Sequence, residues 1–102
     1  MIGINDLRAL RENDGMTLKN GEKINYSTGF QVADHGFELK DAEEAYKAIN
    51  EMQGNCGVWY SDGIYYIDHS FRVKTLKRAL AIGRAHKQIS IFGWKKKNLI
   101  FC

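Results

Sequence analysis

The chain contains no proline. Its turns must therefore rely on glycine, and no strand or helix is interrupted by a residue lacking an amide proton. It also lacks any apolar run approaching the roughly 20 residues a membrane helix needs, which excludes a spanning helix. The opening MIGINDLRALREN carries acids and no long apolar stretch, so it does not read as a secretory signal. Cysteine occurs only at Cys56 and Cys102, too far apart to form a CxxC motif. With no export signal, both are expected to be reduced and the protein cytoplasmic. Cys56, in GNCG, has no adjacent base and reads as a small buried residue rather than a nucleophile. There is no Walker loop, no GxGxxG and no HExxH. The expectation is a protein without catalytic residues, bound metal or cofactor.

What is present suits one domain: 102 residues, enough for a single modest core. The expected division is a helix-hairpin extension over 1–28, a core over 29–94 and a terminal strand over 95–102. Charge is distributed unevenly. Residues 1–54 hold six basic and ten acidic residues, whereas residues 55–102 hold nine basic and two acidic ones. Such asymmetry marks either two solvated helix faces or a surface for an acidic partner or nucleic acid.

Asn20-Gly21 and Asp62-Gly63 are the dipeptides that type I′ hairpins prefer, and each lies between strand-like runs. A short helix is expected over 6–13, with Leu7 and Leu10 inward. A second helix is expected after Asp41, with Glu44 at capping-box spacing, Ala45, Ile49 and Met52 on one face, and Gly54 at its end. A third runs from Thr75 to about His86, with Leu76, Ala79, Leu80 and Gly83 as its buried stripe. QISIFGW and NLIFC read as strands joined by a turn at Lys95, Lys96 and Lys97.

The strongest internal signal is a repeat. DHGFELKDAEEA, from residue 34, answers DHSFRVKTLKRA, from residue 68, and the match extends back so that Phe30 and Val32 fall on Ile64 and Tyr66. Each copy reads as strand, helix, strand, with the Asp62-Gly63 turn joining them. The expected fold is α+β: a ferredoxin-like, split β-α-β duplication with an antiparallel sheet and both helices on one face. The alternative is a small β-roll or barrel with helices. In this arrangement Phe37 and Phe71 should occupy matching buried positions. Carrying face assignments across the repeat places Trp59 in the core, and Val58, Tyr60, Tyr65 and Ile67 on the far face with Gln31. That face would be a partner surface or would be covered by residues 1–28.

The duplicated Asp34-His35 and Asp68-His69 pairs invite a metal or acid-base reading. If each pair sat in the loop leaving its strand, the two would lie at opposite ends of the sheet, and ordinary turn roles are expected. A nucleic-acid reading would use Tyr60 and Tyr65 for stacking and Lys95, Lys96 and Lys97 for phosphates. GIYYID, however, lacks the leading base and second glycine of the RNP1 pattern. Arg72, Lys74, Lys77, Arg78 and Arg84 form a candidate basic surface on and before the third helix. Glu43, Glu44 and Glu51 form a candidate acidic one on the second.

YSTGFQVADHG, GNCGVWYSDGIYYIDHSFRV and IGRAHKQISIF together resemble small uncharacterised proteins of phages and mobile elements of Gram-positive bacteria, a class that includes anti-CRISPRs. The resemblance implies a non-enzymatic binding protein in a bacterial host cell, inhibiting a defence complex such as CRISPR-Cas by occupying a protein or nucleic-acid-binding surface. The implied partner is a host defence protein or ribonucleoprotein, with RNA, single-stranded DNA or a second copy of the chain as alternatives. Nucleic-acid mimics tend to be acidic, so the net charge of +3 speaks against mimicry by the whole surface.

Overall fold

Both glycine dipeptides form the expected turns. Asn20 and Gly21 have φ of 51° and 81°, and Asp62 and Gly63 have 53° and 76°, so each turn has the two positive φ angles that type I′ geometry requires. The computed structural model describes the backbone of residues 1–102 and every side chain except that of His35. The elements run α1 (Ile4–Arg8), β1 (Gly15–Lys19), β2 (Glu22–Lys23), β3 (Phe30–Leu39), α2 (Ala42–Glu51), β4 (Asn55–Ser61), β5 (Ile64–Val73), α3 (Leu76–Ala85), β6 (Ser90–Gly93) and β7 (Asn98–Phe101). The first helix is shorter than its pattern suggests, yet it buries Leu7 as expected. Asp41 stands at the N-cap of α2 without a side-chain cap bond, so the predicted capping box does not form. Thr75 does cap α3, accepting from the Arg78 amide.

The fold is α+β, with one seven-stranded antiparallel sheet in the order β2-β1-β4-β5-β3-β6-β7. The N-terminal hairpin extends the sheet beyond β4, and β7 extends it beyond β6. Strands β3 and β5 form the centre, ten residues each, and pair along almost their whole length.

One residue decides which side chains face the helices. Val32 and Phe37 are five positions apart, an odd interval that would put them on opposite faces of a regular strand. They nevertheless oppose Phe71 and Ile67, which share one face of β5, because the register slips between Ala33 and His35. Asp34 is the extra residue of a β-bulge. β5 has no such slip in its pairing with β4. The two copies are therefore in phase after the aspartate and out of phase before it. Val32 is fully buried beneath α3, whereas its repeat partner Tyr66 lies on the opposite face.

This corrects the expected faces. The pairs Trp59–Tyr66 and Tyr60–Tyr65 are as expected, but Val58, Tyr65 and Ile67 are buried on the helix side with Leu7, Leu18, Ala45 and Ile49. Trp59 is not in the core: it is 40% exposed on the helix-free face. Residues 1–28 do cover the Tyr65 side, where Ile2, Leu7 and Leu18 complete the larger core cluster. The smaller cluster joins Val32 and Val73 to Ala79 of α3 and Ile91 of β6. Leu76 is 42% exposed and does not belong to the buried stripe, which holds Ala79 and Gly83. Phe37 is 42% exposed and Phe71 half-buried, so neither is the core anchor expected of it.

The sheet is strongly curled. Gly15 of β1 and Leu99 of β7 are five strand steps apart, about 24 Å in a flat sheet at about 4.8 Å per step. Both line a single cavity on the helix-free side. The curl is thus concave there, a half-barrel closer to the roll or barrel alternative.

Candidate functional site

The helix-free face forms a groove of about 420 Å³. Its floor is the central pair β3–β5, contributing Gln31, Ala33, Asp68 and Ser70, and its sides carry Trp59 from β4 and Phe92, Trp94 and Leu99 from the β6–β7 region. Much of the polar floor is internally satisfied. The Trp94 indole N–H donates to Gln31 Oε1 at 3.1 Å, and Gln31 Nε2 donates to Ser70 Oγ at 3.0 Å. This chain of hydrogen bonds explains why Gln31, Ser70 and Trp94 can all be buried. Trp94 is held further by edge contacts from Tyr26 and Phe92 and by Lys97, whose Nζ lies 5.7 Å from the ring centre.

Among the described residues, Asp68 is the one charged residue lining the groove. It stands opposite Gly57 on β4 and opposite Gly36 on β3. Both glycines make room for it: a methyl group on Gly57 would come within 2.5 Å of Asp68 Oδ1, and one on Gly36 within 2.6 Å of the Ile67 carbonyl and 3.1 Å of Asp68 Cβ. Burial pushes the Asp68 carboxyl above its ordinary range, opposed by the hydrogen bond it accepts from the Gly57 amide and by nearby His69. On the helix side, burial and the charge of Asp68 push the Cys56 thiol up to about 12, so it stays protonated and unreactive at neutral pH.

The Asp-His pairs are not in turns. They lie within β3 and β5, which are longer than expected, and near the middle of two antiparallel neighbours they meet: His35 opposes His69, and Gly36 opposes Asp68. The expectation that they could not converge is therefore wrong in its geometry. Asp34, displaced by the bulge, contacts His86 Nδ1 at 3.3 Å at the C-cap of α3. Among the described residues, no group of three or more His, Cys, Asp or Glu side chains is placed to hold a metal ion.

The remaining candidates divide. Tyr65 is 7% exposed, its hydroxyl donates to the Leu7 carbonyl at 3.2 Å, and Tyr60 packs against it with ring centres 4.8 Å apart. This pair braces α1 against the sheet and does not form an open stacking platform. Arg72 clamps the chain before β3, donating from Nε and Nη2 to the carbonyl and hydroxyl of Thr28, both at 2.8 Å, beneath the Tyr26 ring. Lys95, Lys96 and Lys97 are exposed at the β6–β7 turn. Glu43 pairs with Arg8 of α1 at 3.3 Å, while Glu44 and Glu51 are exposed.

Lys74, Lys77, Arg78 and Arg84 are exposed on or beside α3. No acid occurs in residues 69–102, and among the described residues no ion pair joins these cations to the acids of α2. A depression of about 470 Å³ at the start of α3 is lined by Phe71, Arg72, Val73, Lys74, Thr75, Arg78 and Ile82. The protein thus has two candidate surfaces on opposite faces: an acid-floored groove and a cationic helix.

Sequence reasoning missed the groove because it placed Trp59 inside and assigned Asp68 to a turn. The alternation Tyr65, Ile67, Phe71, Val73 within β5 was the available signal, since it puts Asp68 and Ser70 together on the other face. Among the described residues, no helix is long and apolar enough to cross a membrane. No protein-family model, curated protein or solved structure matches the chain.

Proposed function

We propose that the protein acts by binding rather than by chemistry, as a phage-type inhibitor that occupies an acidic surface of a bacterial defence protein through the basic face of α3. The observation carrying this reading is the uncompensated charge: Lys74, Lys77, Arg78 and Arg84 stand exposed with no ion-pair partner among the described residues. Solvated cations of this kind contribute little to folding and much to steering and orienting an acidic partner. The depression beside Lys74 and Arg78 offers a seat for a carboxylate side chain. The sequence resemblance supports the phage-type assignment. We also read the central order β4-β5-β3-β6, with its two strand-helix-strand units, as a ferredoxin-like duplication bent into a half-barrel. The RNA or single-stranded DNA alternative is disfavoured by the burial of Tyr65 and by the packing of Tyr60 upon it.

The test is capture of partners from bacterial lysate, with and without nuclease. A protein partner that survives nuclease supports the reading, and loss of all partners supports the nucleic-acid alternative. Lys77→Glu with Arg78→Glu should change stability by only about 0.5 kcal/mol per site. The same double variant should weaken partner binding at least tenfold and flatten its salt dependence. Normal binding by this variant at low salt would reduce α3 to a solvated face.

A further inference from the structure

The geometry points to a second, independent site: we propose that the helix-free groove binds a free small organic cation, an ammonium or guanidinium carried on a flat or apolar body. The cavity, about 420 Å³, is of a size that holds small ligands. Among the described residues its lining holds a single charged side chain, Asp68, and no lysine, arginine or histidine. The neighbouring polar groups Trp94, Gln31 and Ser70 spend hydrogen bonds on one another, which leaves the carboxylate as the floor's strongest acceptor.

Two further features aim this acceptor at a cation. Glycines at 36 and 57 flank Asp68 on both neighbouring strands: Gly57 leaves the space that the carboxylate occupies, and Gly36 leaves room for the Ile67 carbonyl and the Asp68 Cβ. Trp59, on the same face of β4 as Gly57, is 40% exposed, so its ring is available to a cation or to the body carrying one. Trp94, by contrast, is already engaged by Lys97 and by Gln31. A ligand would seat its charge against Asp68 and its apolar part against Trp59 and Phe92. An anion would be repelled by the carboxylate, and a neutral body would bring it no opposite charge. Placing a carboxylate in a partly dehydrated groove is unfavourable for folding, and a bound cation offsets that penalty.

The two tryptophans of the chain both line the groove, so their emission reports on it directly. The probes are phenethylamine, 2-phenylethanol and 3-phenylpropionate, which share a body and differ in charge. Phenethylamine should produce a saturable change in emission, the alcohol should bind at least tenfold more weakly and the carboxylate not at all. Asp68→Asn should remove the preference for the amine while the protein remains folded, with its melting temperature unchanged or raised. Trp59→Ala should weaken the amine at least tenfold. Equal affinity for amine and alcohol, amine binding untouched by Asp68→Asn, or binding of a lysine-containing peptide in place of any free amine would each overturn the proposal.

Discussion

Asp34 and Asp68 occupy the same place in two copies of one sequence pattern, yet one is the extra residue of a bulge and the other the floor of a groove. The difference comes from their strands. In β3 the register slips at Asp34, which turns the aspartate toward α3, where it meets His86. In β5 the strand runs through without a slip, and Asp68 faces the helix-free side between two glycines. A duplicated sequence thus yields two environments by changing the phase of one strand. The bulge also places Val32 under α3 and Gln31 in the groove, so a single inserted residue organises both faces of the β3–β6 side.

Deleting Asp34 is the most severe way to break this asymmetry. Removing one residue exchanges the faces of everything upstream in β3, turning Val32 outward and driving Gln31 toward the apolar cluster beneath α3. Gln31 would lose Ser70 and Trp94 as partners at the same time. The expected loss exceeds about 4 kcal/mol, a large share of a small domain's stability, and urea denaturation should show no cooperative transition. If the deletion variant melts like the parent, the bulge does not set the phase.

How much of this was legible beforehand follows from the same residue. Turn chemistry is local, so Asn20-Gly21 and Asp62-Gly63 revealed both hairpins, and the second also revealed the register of Trp59 against Tyr66. The succession of strands and helices from β3 to β6 followed from the repeat. Face assignment did not, because a residue-by-residue alignment of two copies does not display the slip that arises where the two strands pair. Carrying Phe30 and Val32 onto Ile64 and Tyr66 assumed equal phase, and Asp34 breaks it. The groove was consequently invisible, although its polar members alternate regularly within β5. The curl was present only as the roll or barrel alternative, since the bending of seven strands is a collective property that no short segment carries.

The two halves also differ in how their helices are anchored. Ile49 of α2 is 1% exposed and sits in a cluster that residues from α1, β1, β4 and β5 complete, whereas Leu80 of α3 is only partly buried beside a smaller cluster. Ile49→Ala should therefore cost about 3 kcal/mol, and Leu80→Ala about 1.5 kcal/mol. Equal losses in denaturant midpoint would mean that the N-terminal extension adds nothing to the packing of its half. Within the shared phase beyond the bulge, Phe37→Ala and Phe71→Ala should each cost about 1 to 2 kcal/mol, less than a fully buried phenylalanine. Phe71 should lose more, since Phe37 is 42% exposed.

The smallest effects should differ in sign between the two aspartates. Asp34→Asn removes a partly exposed interaction with His86 and should destabilise by about 0.5 kcal/mol or less. Asp68→Asn keeps an oxygen for the Gly57 amide while removing a charge whose burial raises its pKa. A carboxyl with a raised folded pKa is held ionised at neutral pH at the expense of the folded state. That expense is full above the folded pKa, declines as pH falls through it, and vanishes below the unfolded value near about 3.9, where both states are protonated. Asp68→Asn should therefore be slightly more stable than the parent at pH 7, by about 1 kcal/mol or less. The two proteins should become indistinguishable below about pH 4. Thermal melts of both proteins across that range measure the difference directly. A variant less stable than the parent at pH 7 would show that Asp68 is a structural acceptor, and its seat between Gly36 and Gly57 would need no ligand to account for it.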